Sequence, residues 1–292
     1  MKLPIVLLFL VCLILGCKED EVIPKVITLD YYEESFEIPG LDFQPQNKTV
    51  YDYDLAGRLT RSTFFSFDPN VETMVEQRRF LFSYVDGKVN KIEGFLTNST
   101  SPYIEYSYQY DDLRVTKISE KNYSAGVNSE ATFSYPSANV VSVDYQFSNG
   151  GSFKYEMTFD GNNIISDKTT RGTQLCSNGE YTYDQHPNPF NALGYVDYLV
   201  TNVSVNNKLT ENVNYVGCAF PNLKPESFEY VYNDEGYPTE MTTTYVSNDD
   251  VAPKSTKRFF YSLRYSNLIV TLSEVVCPSP NLREFTRIFE CQ

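Results

Sequence analysis

Nine copies of one phrase run along this sequence, and they restrict its fold more than any other feature does. In each copy, a run of alternating aromatic residues reaches a turn of Asp, Asn or Gly, and a basic residue and an aliphatic one follow. The clearest copies span residues 51–61, 80–92 and 106–118. The last residues before the turns are at positions 53, 84, 110, 135, 159, 183, 205, 232 and 265, in steps of 22 to 33 residues. Such a period indicates one small structural unit used many times.

The segment Phe153–Phe159 shows what the repeated unit is. Apolar and polar residues alternate along it, and a period of two predicts a strand with one buried face and one wet face. On this strand we expect one face to hold Phe153, Tyr155, Met157 and Phe159 and the other to hold Lys154, Glu156 and Thr158. Because Asp, Asn and Gly tolerate the backbone angles of tight turns, each unit is predicted to be a β-hairpin.

Nine hairpins predict an all-β fold, a long antiparallel β-meander of eighteen strands, and no helix is predicted after residue 17. An open sheet of that length leaves two strand edges free to pair with other chains. Curling the sheet into a barrel removes these edges. We therefore predict a single β-meander repeat domain over residues 46–292, curled into a barrel or half-barrel.

Residues 1–16 have the pattern of a signal peptide. Lys2 precedes an uncharged apolar run at residues 4–16. A membrane-spanning helix needs ~20 apolar residues, so this run fits a signal h-region instead. It ends in Leu-Ile-Leu-Gly before Cys17, which resembles the lipobox of bacterial lipoproteins. The resemblance implies that Cys17 carries lipid, such as palmitate, and becomes the new N-terminus; an ordinary secretory signal with an incidental Cys17 is the alternative.

The residues after Cys17 predict where the lipoprotein goes. The run Lys18–Glu21 contains three acids and resembles the short export signal of Bacteroidetes-type lipoproteins that are carried to the cell surface. We expect an outer-membrane protein, held by its lipid anchor and facing the cell exterior. Residues 17–45 are assigned to the lipidated cysteine and an acidic tether.

The cysteines outside the signal and the anchor predict disulfides. Four of them remain, and an even number in an exported chain favours two bonds with three possible pairings. We favour the pairs Cys176–Cys218 and Cys277–Cys291, with free buried thiols as the alternative.

The charge balance excludes one class of partner. Without the signal peptide, 38 acidic and 23 basic residues remain, and such an excess of acid would repel the phosphates of nucleic acid. Partners are expected to be neutral or cationic. The chain has 24 Tyr, 20 Phe and no Trp. Aromatic side chains favour strands and bury ~150–250 Å² each, so a large apolar interior is available.

No arrangement of residues predicts catalysis. His186 is the single histidine and lies in a Pro- and Asn-rich loop, where an exposed, unreactive side chain is expected. The acid pairs Asp52/Asp54, Asp111/Asp112 and Asp249/Asp250 could serve a glycosidase or a calcium site, but they fall at turns, where Asp bonds its own backbone. There is no C-x-x-C pair for zinc. We expect a protein that is not an enzyme and has no cofactor and no metal.

The tyrosines and the basic residues after the turns leave two interpretations open. Tyrosines on one strand face are expected to line a core or a barrel, although exposed rings could stack on sugars. The basic residues Arg58, Lys88, Arg114 and Lys208 are expected to form cross-strand pairs with carboxylates, each contributing ~0.2–1 kcal/mol. A stripe that contacts a ligand is the alternative.

The phrase Tyr-x-Tyr-Asp-x-x-Gly-Arg-Leu-Thr at residues 51–60 resembles the YD repeat of bacterial surface and toxin-shell proteins. Over residues 45–290 the chain resembles a Bacteroidetes lipoprotein family of unknown function with a porin-like antiparallel meander. The segment Tyr181–Phe190 is similar to a Tyr-Asp…Asn-Pro-Phe loop of that family. The resemblance implies a fold and a location but names no ligand-binding or catalytic residue.

Four function classes remain open. The first is a non-catalytic surface lipoprotein that binds a glycan, a peptide or a partner protein, and exposed tyrosines in a groove would favour it. The second is a structural or scaffolding lipoprotein without a small ligand, which a polar outer face and a packed interior would favour. An integral porin-like barrel and a glycan-active enzyme are further alternatives; convergent carboxylates in a cleft would favour the enzyme.

Overall fold

The computed structural model describes residues 25–37, 46–112, 114–216, 218, 225–245 and 252–265, and there the chain forms an antiparallel barrel of sixteen strands. In chain order the strands are β1 (Lys25–Glu37), β2 (Gln46–Tyr53), β3 (Leu59–Asp68), β4 (Thr73–Val85), β5 (Lys88–Leu96), β6 (Ile104–Asp111), β7 (Arg114–Asn122), β8 (Val127–Ser137), β9 (Val140–Phe147), β10 (Ser152–Asp160), β11 (Asn163–Arg171), β12 (Gln174–Pro187), β13 (Asn206–Tyr215), β14 (Pro225–Tyr232), β15 (Pro238–Tyr245) and β16 (Lys254–Tyr265). Each strand pairs with its neighbours in sequence, and β1 also pairs with β16, so the barrel is closed. The predicted antiparallel meander is confirmed.

The described strands make eight pairs rather than the predicted nine. The turn markers at residues 183 and 205 belong to one hairpin, because β12 continues past Tyr183 and the chain returns only at Asn206, where β13 begins. The eighth pair is β16 with β1, which joins the two ends of the sheet. Spacing alone could not show that a long loop, rather than another hairpin, separates the two markers.

Residues 25–37, which the sequence assigns to the acidic tether, form β1 of the barrel. This strand pairs with β16 from Lys25 opposite Tyr265 to Glu37 opposite Lys254. Its acidic residues suggested a solvated segment, but they alternate between the two faces of a strand. Glu34 forms an ion pair with Lys257 on β16, with 2.9 Å between the charged atoms.

The repeated tyrosine has a structural role that explains the period. Seven tyrosines near the turns donate a hydrogen bond to a backbone carbonyl of the preceding strand, and we call this set the tyrosine belt. At 2.7–2.9 Å the bonds are Tyr53–Leu29, Tyr84–Leu59, Tyr110–Val89, Tyr135–Val115, Tyr183–Ile164, Tyr230–Lys208 and Tyr261–Pro238.

The carbonyls that accept these bonds lie just beyond the end of a backbone ladder. The β3–β4 ladder begins at Arg61 opposite Leu81, so the carbonyl of Leu59 has no strand partner on that side. A buried carbonyl needs a donor, and the hydroxyl of Tyr84 supplies it. Where the belt has a phenylalanine, Phe159, the ladder itself continues, because the Phe159 N–H donates to the carbonyl of Asn139 at 2.8 Å. The hydroxyl is present where the backbone lacks a partner.

The basic residue after three of the turns supports the tyrosine of the next hairpin. The cation lies over the ring at 4.9 Å for Arg58 and Tyr84, 5.6 Å for Lys88 and Tyr110, and 4.6 Å for Arg114 and Tyr135. The aliphatic residue that follows each of these cations is the one whose carbonyl the same tyrosine binds. The basic residue therefore contacts the ring of the next unit's tyrosine, and the aliphatic residue accepts the hydrogen bond from its hydroxyl.

One of the expected cross-strand ion pairs forms among the described residues: Arg114 on β7 contacts Asp111, the residue opposite it on β6, at 3.8 Å. Arg58 contacts Asp54 within the same turn at 2.7 Å, and Lys208 contacts Glu211 on its own strand at 2.7 Å. Asp54 also accepts the backbone N–H of Arg58. Burial is the largest single influence and opposes ionisation, but the hydrogen bonds and charge of Arg58 and the hydrogen bond from Ala56 together lower the pKa of the Asp54 carboxyl. A turn-closing role explains why Asp precedes these turns.

The faces of β10 are as predicted. Met157 is fully buried, and Phe153, Tyr155 and Phe159 pack against the core inside the barrel. Lys154 and Glu156 lie on the other face, where their charged atoms are 3.8 Å apart. The sheet is one-sided here, with apolar side chains in the lumen and polar ones outside.

The outer wall is polar around most of the barrel. Exposed outward positions on β8–β13 include Glu130, Thr132, Asp144, Lys154, Glu180 and Asn212. Lys91 lies between Glu93 and Glu105, at 2.8 and 2.9 Å, and the hydrogen bonds that it donates to these carboxylates raise the pKa of Lys91 to about 12. A small aromatic patch interrupts the polar surface where Tyr31 stacks on Phe260 at 4.2 Å between centroids.

Candidate functional site: the lumen and its inward loop

The loop between β12 and β13, residues 188–205, folds into the lumen, and we call it the plug. Its side chains and carbonyls contact strands that lie far apart around the barrel. The contacts are Phe190 with Tyr32 and Phe259 at 5.6 and 5.7 Å, Tyr195 with Phe82 at 5.1 Å, and the carbonyls of Val196 and Tyr198 with the hydroxyls of Tyr108 and Tyr145 at 2.9 and 2.8 Å. A loop can reach β1, β4, β6, β9 and β16 together only from inside a closed barrel.

The plug satisfies its own polar groups, as an irregular segment must when it is removed from water. Asp197 accepts the backbone N–H of Thr201 at 2.6 Å and the Thr201 hydroxyl. The Asn202 side chain donates to the carbonyl of Tyr195 at 2.8 Å. Burial raises the pKa of the Asp197 carboxyl, although the hydrogen bonds from Thr201 oppose the shift. Between these contacts lies one described 3₁₀ turn, Asn191–Leu193.

Asparagine side chains fasten the base of the plug. Asn188 donates to the carbonyl of Ser204 at 2.9 Å, which joins the two ends of the loop. Asn206 donates to the carbonyl of His186 at 3.1 Å and accepts a bond from Asn163 on β11. These bonds hold the start and the end of the loop together at the mouth of the barrel.

His186 lies in this base rather than on an open surface. Its ring stacks on that of Tyr232 at 4.1 Å between centroids, and its backbone N–H donates to Asp184. Asp184 also accepts the hydroxyl of Tyr232 and the side chain of Asn207. The histidine of the Pro- and Asn-rich segment therefore supports the plug.

A tyrosine–carboxylate cluster lines the lumen on β10–β13. We define it as Tyr155, Asp167, Tyr181, Lys208 and Glu211. Both tyrosines donate to the same oxygen of Asp167, Tyr155 at 2.7 Å. Lys208 is paired with Glu211, and its Nζ lies 4.5 Å from the centre of the Tyr181 ring. Burial, more than the nearby carboxylate, raises the pKa of both tyrosine hydroxyls, so they remain donors.

Gly179 makes room for this cluster. A Cβ at this position would lie 2.5 Å from the Tyr181 hydroxyl and 2.9 Å from Asp167 Oδ1. The ring of Tyr181 therefore occupies the space that a side chain on β12 would fill. A glycine within a strand usually weakens it, so its presence here has a packing reason. The sequence shows this glycine, but its lumenal neighbours become visible only once the register of three strands is known.

The lumen is filled unevenly. On β7 and β9 the inward residues Ile118 and Val143 are fully buried beneath the plug. On β13 the inward side chain of Lys208 keeps 33% of its surface exposed, and Tyr215 keeps 36%. The tyrosine–carboxylate cluster is thus the part of the inner wall that water reaches.

The acid pairs picked out in the sequence do not converge. Asp52 forms an ion pair with Arg61 at 2.7 Å, Asp54 closes its turn, and Asp111 lies 3.8 Å from Arg114. The pair at 249 and 250 falls outside the described residues. Within the described ranges no group of three or more His, Cys, Asp or Glu side chains could hold a metal ion.

One of the two favoured disulfides is in the structure. Cys176 and Cys218 are bonded, with their Cα atoms 5.1 Å apart. The bond joins the start of β12 to the residues after β13, at the end of this hairpin opposite the plug. Cys17, Cys277 and Cys291 lie outside the described residues. Among the helical segments that are described, none is long and apolar enough to span a membrane.

The described residues define an antiparallel β-barrel protein whose lumen is filled in part by one of its own loops. The chain is similar to a porin-like protein from Bacteroides uniformis ATCC 8492, with a TM-score of 0.56 and 14% identity over 80% of this chain and 96% of that one. A porin-like protein from Bacteroides vulgatus ATCC 8482 also matches, with a TM-score of 0.41 and 11% identity over 81% and 99% of the two chains. At 14% identity, the likeness to the Bacteroides uniformis protein shows a shared fold and nothing further. No protein-family model matches the sequence, and no curated protein matches it.

Proposed function

We propose that this chain is a non-catalytic lipoprotein, held at the outer membrane by lipid on Cys17, whose barrel stands in water on the outside of the cell. The observation that carries the proposal is the charged outer wall. A barrel embedded in a membrane carries an apolar outward band ~25 Å tall, and each Lys or Arg at its middle costs ~2–4 kcal/mol. Here Lys91, Lys117 and Lys154 point outward midway along their strands.

The filled lumen supports the same proposal. The plug packs against β6–β9 until the inner wall there is buried, which leaves no wide aqueous path on that side of the barrel. Both features argue against the integral porin-like alternative. The porin-like fold of the solved structures is compatible with an envelope location, and the anchor supplies the membrane attachment that this outer wall does not.

The anchor is tested with the full-length protein in cells labelled with a palmitate analogue. We expect Cys17→Ala to abolish labelling and to leave the protein unprocessed or in the soluble fraction, because the acyl chains are its membrane attachment. Cys12→Ala, within the apolar run of the signal, is the matched control and should keep both labelling and membrane association. A Cys17→Ala protein that is still labelled and still pellets with outer membranes would contradict the proposal.

A second function, binding of a saccharide in the lumen, is favoured by the tyrosine–carboxylate cluster. Asp167 and Glu211 offer acceptors, Lys208 offers donors, and the ring of Tyr181 is fixed in place by its hydrogen bond. Rigid rings beside fixed polar groups are what an amphipathic, polyhydroxylated ligand needs. Within the described barrel every strand is paired on both sides, so an extended peptide has no free strand edge to join.

Saccharide binding is tested by applying the full-length protein to an oligosaccharide array. Any oligosaccharide that binds is then titrated against Asp167→Asn, which removes the lumenal charge but keeps an acceptor for the tyrosines. Asp144→Asn removes the same charge from the exposed outer wall and is the control. Loss of binding in the first variant alone supports a lumenal site. An array without binders, or equal losses in both variants, would favour a scaffolding lipoprotein without a small ligand.

A further inference from the structure

We propose that one particular end of the barrel lies against the lipid surface: the end that holds the tyrosine belt and the turns between β2 and β3, β4 and β5, and β14 and β15, here called the turn end. The inference rests on the lipid anchor proposed above. The opposite end, which holds the connections from β3 to β4 and from β5 to β6, is called the loop end and would point away from the membrane.

The position of the first strand carries the inference. β1 starts at Lys25, opposite Tyr265, the last residue of β16. Four residues later, the carbonyl of Leu29 accepts the hydroxyl of Tyr53, which directly precedes the β2–β3 turn. The chain therefore enters the barrel from its turn end, and whatever precedes Lys25 is attached there.

The short tether limits how the barrel can be oriented. Lys25 is eight positions after Cys17 in the sequence. Such a segment spans about 26–29 Å when fully extended, and about 16 Å on average as a flexible chain. The ten residues of β3 span about 33 Å along the strand, or about 25 Å along the barrel axis at a typical tilt. Bringing the loop end to the membrane would need an almost fully stretched tether, whereas the turn end reaches it with a relaxed one.

The chemistry of the turn end indicates which lipid surface it fits. Apolar side chains are exposed around this end, with Leu55 at 89%, Val85 at 55%, Val231 at 57% and Leu263 at 54% of their surface. They can enter the interface between headgroups and acyl chains, where apolar surface is removed from water.

Acidic residues outnumber basic ones between these apolar side chains. Arg58, Lys88 and Arg114 follow the turns, whereas five exposed acids lie in or beside them: Asp86, Asp111, Asp112, Asp234 and Glu235. An anionic surface would repel them. The turn end therefore fits a zwitterionic lipid surface, and the acyl anchor rather than charge attraction brings it there.

The absence of tryptophan from the sequence gives a direct test. Single tryptophans replace Leu55 at the turn end and, as the matched control, Val71 at the loop end, which is 59% exposed. Each full-length, lipidated variant is reconstituted on phosphatidylcholine vesicles that contain lipids brominated near the headgroup. We expect Leu55→Trp to lose most of its emission to bromine quenching and Val71→Trp to keep its emission.

Equal quenching of the two tryptophans, stronger quenching at residue 71, or no quenching of either in protein that floats with the vesicles would overturn the orientation. Protein that does not float would instead show that the anchor is absent, so failure of the proposed function is distinguished from failure of this inference. Stronger quenching of Leu55→Trp on vesicles with added phosphatidylglycerol would contradict the preference for a zwitterionic surface.

Discussion

The tyrosine belt makes the most specific prediction, which is tested by removing one hydroxyl. In Tyr84→Phe the ring keeps its packing and its contact with Arg58, but the carbonyl of Leu59 loses its donor. Leu59 is only 1% exposed, so water cannot replace the bond. An unsatisfied buried carbonyl costs about 1–3 kcal/mol. Burial raises the pKa of Tyr84 to about 12, so the hydroxyl is a donor throughout the neutral range and the loss does not depend on pH there.

The control is Tyr106→Phe on β6. Tyr106 is half-buried on the same inner wall and its ring lies 5.5 Å from that of Tyr198, but its hydroxyl donates no hydrogen bond to any described residue. Removing it should change the free energy of unfolding by no more than about 0.5 kcal/mol. Urea denaturation followed by far-ultraviolet circular dichroism compares the two variants with the wild-type protein. If Tyr84→Phe were as stable as Tyr106→Phe, the belt would not contribute to stability and the explanation of the repeat would be wrong.

Three further predictions concern the wall, the plug and the disulfide. Tyr155→Ala is expected to lower the free energy of unfolding by about 3–5 kcal/mol, as for a buried aromatic. Lys154→Ala on the outer face should lower it by about 0.5 kcal/mol at most. Equal, small effects of the two substitutions in urea melts would contradict a one-sided sheet. Because burial raises the pKa of Asp197, its contribution to stability is present at acid pH and is lost as the pH rises through the raised folded value. As the pH rises from acid to neutral, the Asp197→Asn variant should therefore lose less stability than the wild-type protein does. Thermal melts in which both proteins show the same pH dependence would refute this. Replacing Cys176 and Cys218 with serine should remove about 4 kcal/mol in the chain-entropy model, for a separation of 42 residues; non-reducing peptide mapping that finds Cys218 joined elsewhere would overturn the pairing.

The wall of the barrel could be predicted from the sequence because each strand and turn is determined by residues that are close together in the sequence. Alternation along Phe153–Phe159 determines which face is buried, and the recurring turns determine where strands end. The role of the belt hydroxyls could not be predicted in this way. A tyrosine such as Tyr84 bonds a residue 25 positions earlier, and that contact exists only when two hairpins lie side by side in the correct register.

The plug and the cluster were missed for a different reason. Residues 188–205 contain Phe190, Tyr195 and Tyr198, but without alternation, so they match neither a strand nor a polar loop. Apolar side chains at irregular spacing were the sequence feature that could have predicted a buried loop, because a long apolar loop is removed from water when the chain folds. The cluster brings Tyr155 and Asp167 together from separate strands, and no local pattern links them. The strand β1 was not predicted for a similar reason, since one of its two partner strands, β16, lies at the other end of the sequence.

The pairing of β1 with β16 has a consequence for the order of assembly. Thr28 and Ser262, which bond across this pair, are 234 residues apart, whereas Tyr84 and Leu59 are 25 apart. Each hairpin can form as soon as its own segment has been synthesised, but the final pair must wait for the last strand. Bringing its ends together costs about 2 kcal/mol more loop-closure entropy than joining two neighbouring units. Until then both sheet edges are open, although the plug has already been synthesised, because its residues precede β13. The free edges therefore disappear only with the pairing of the first and last described strands.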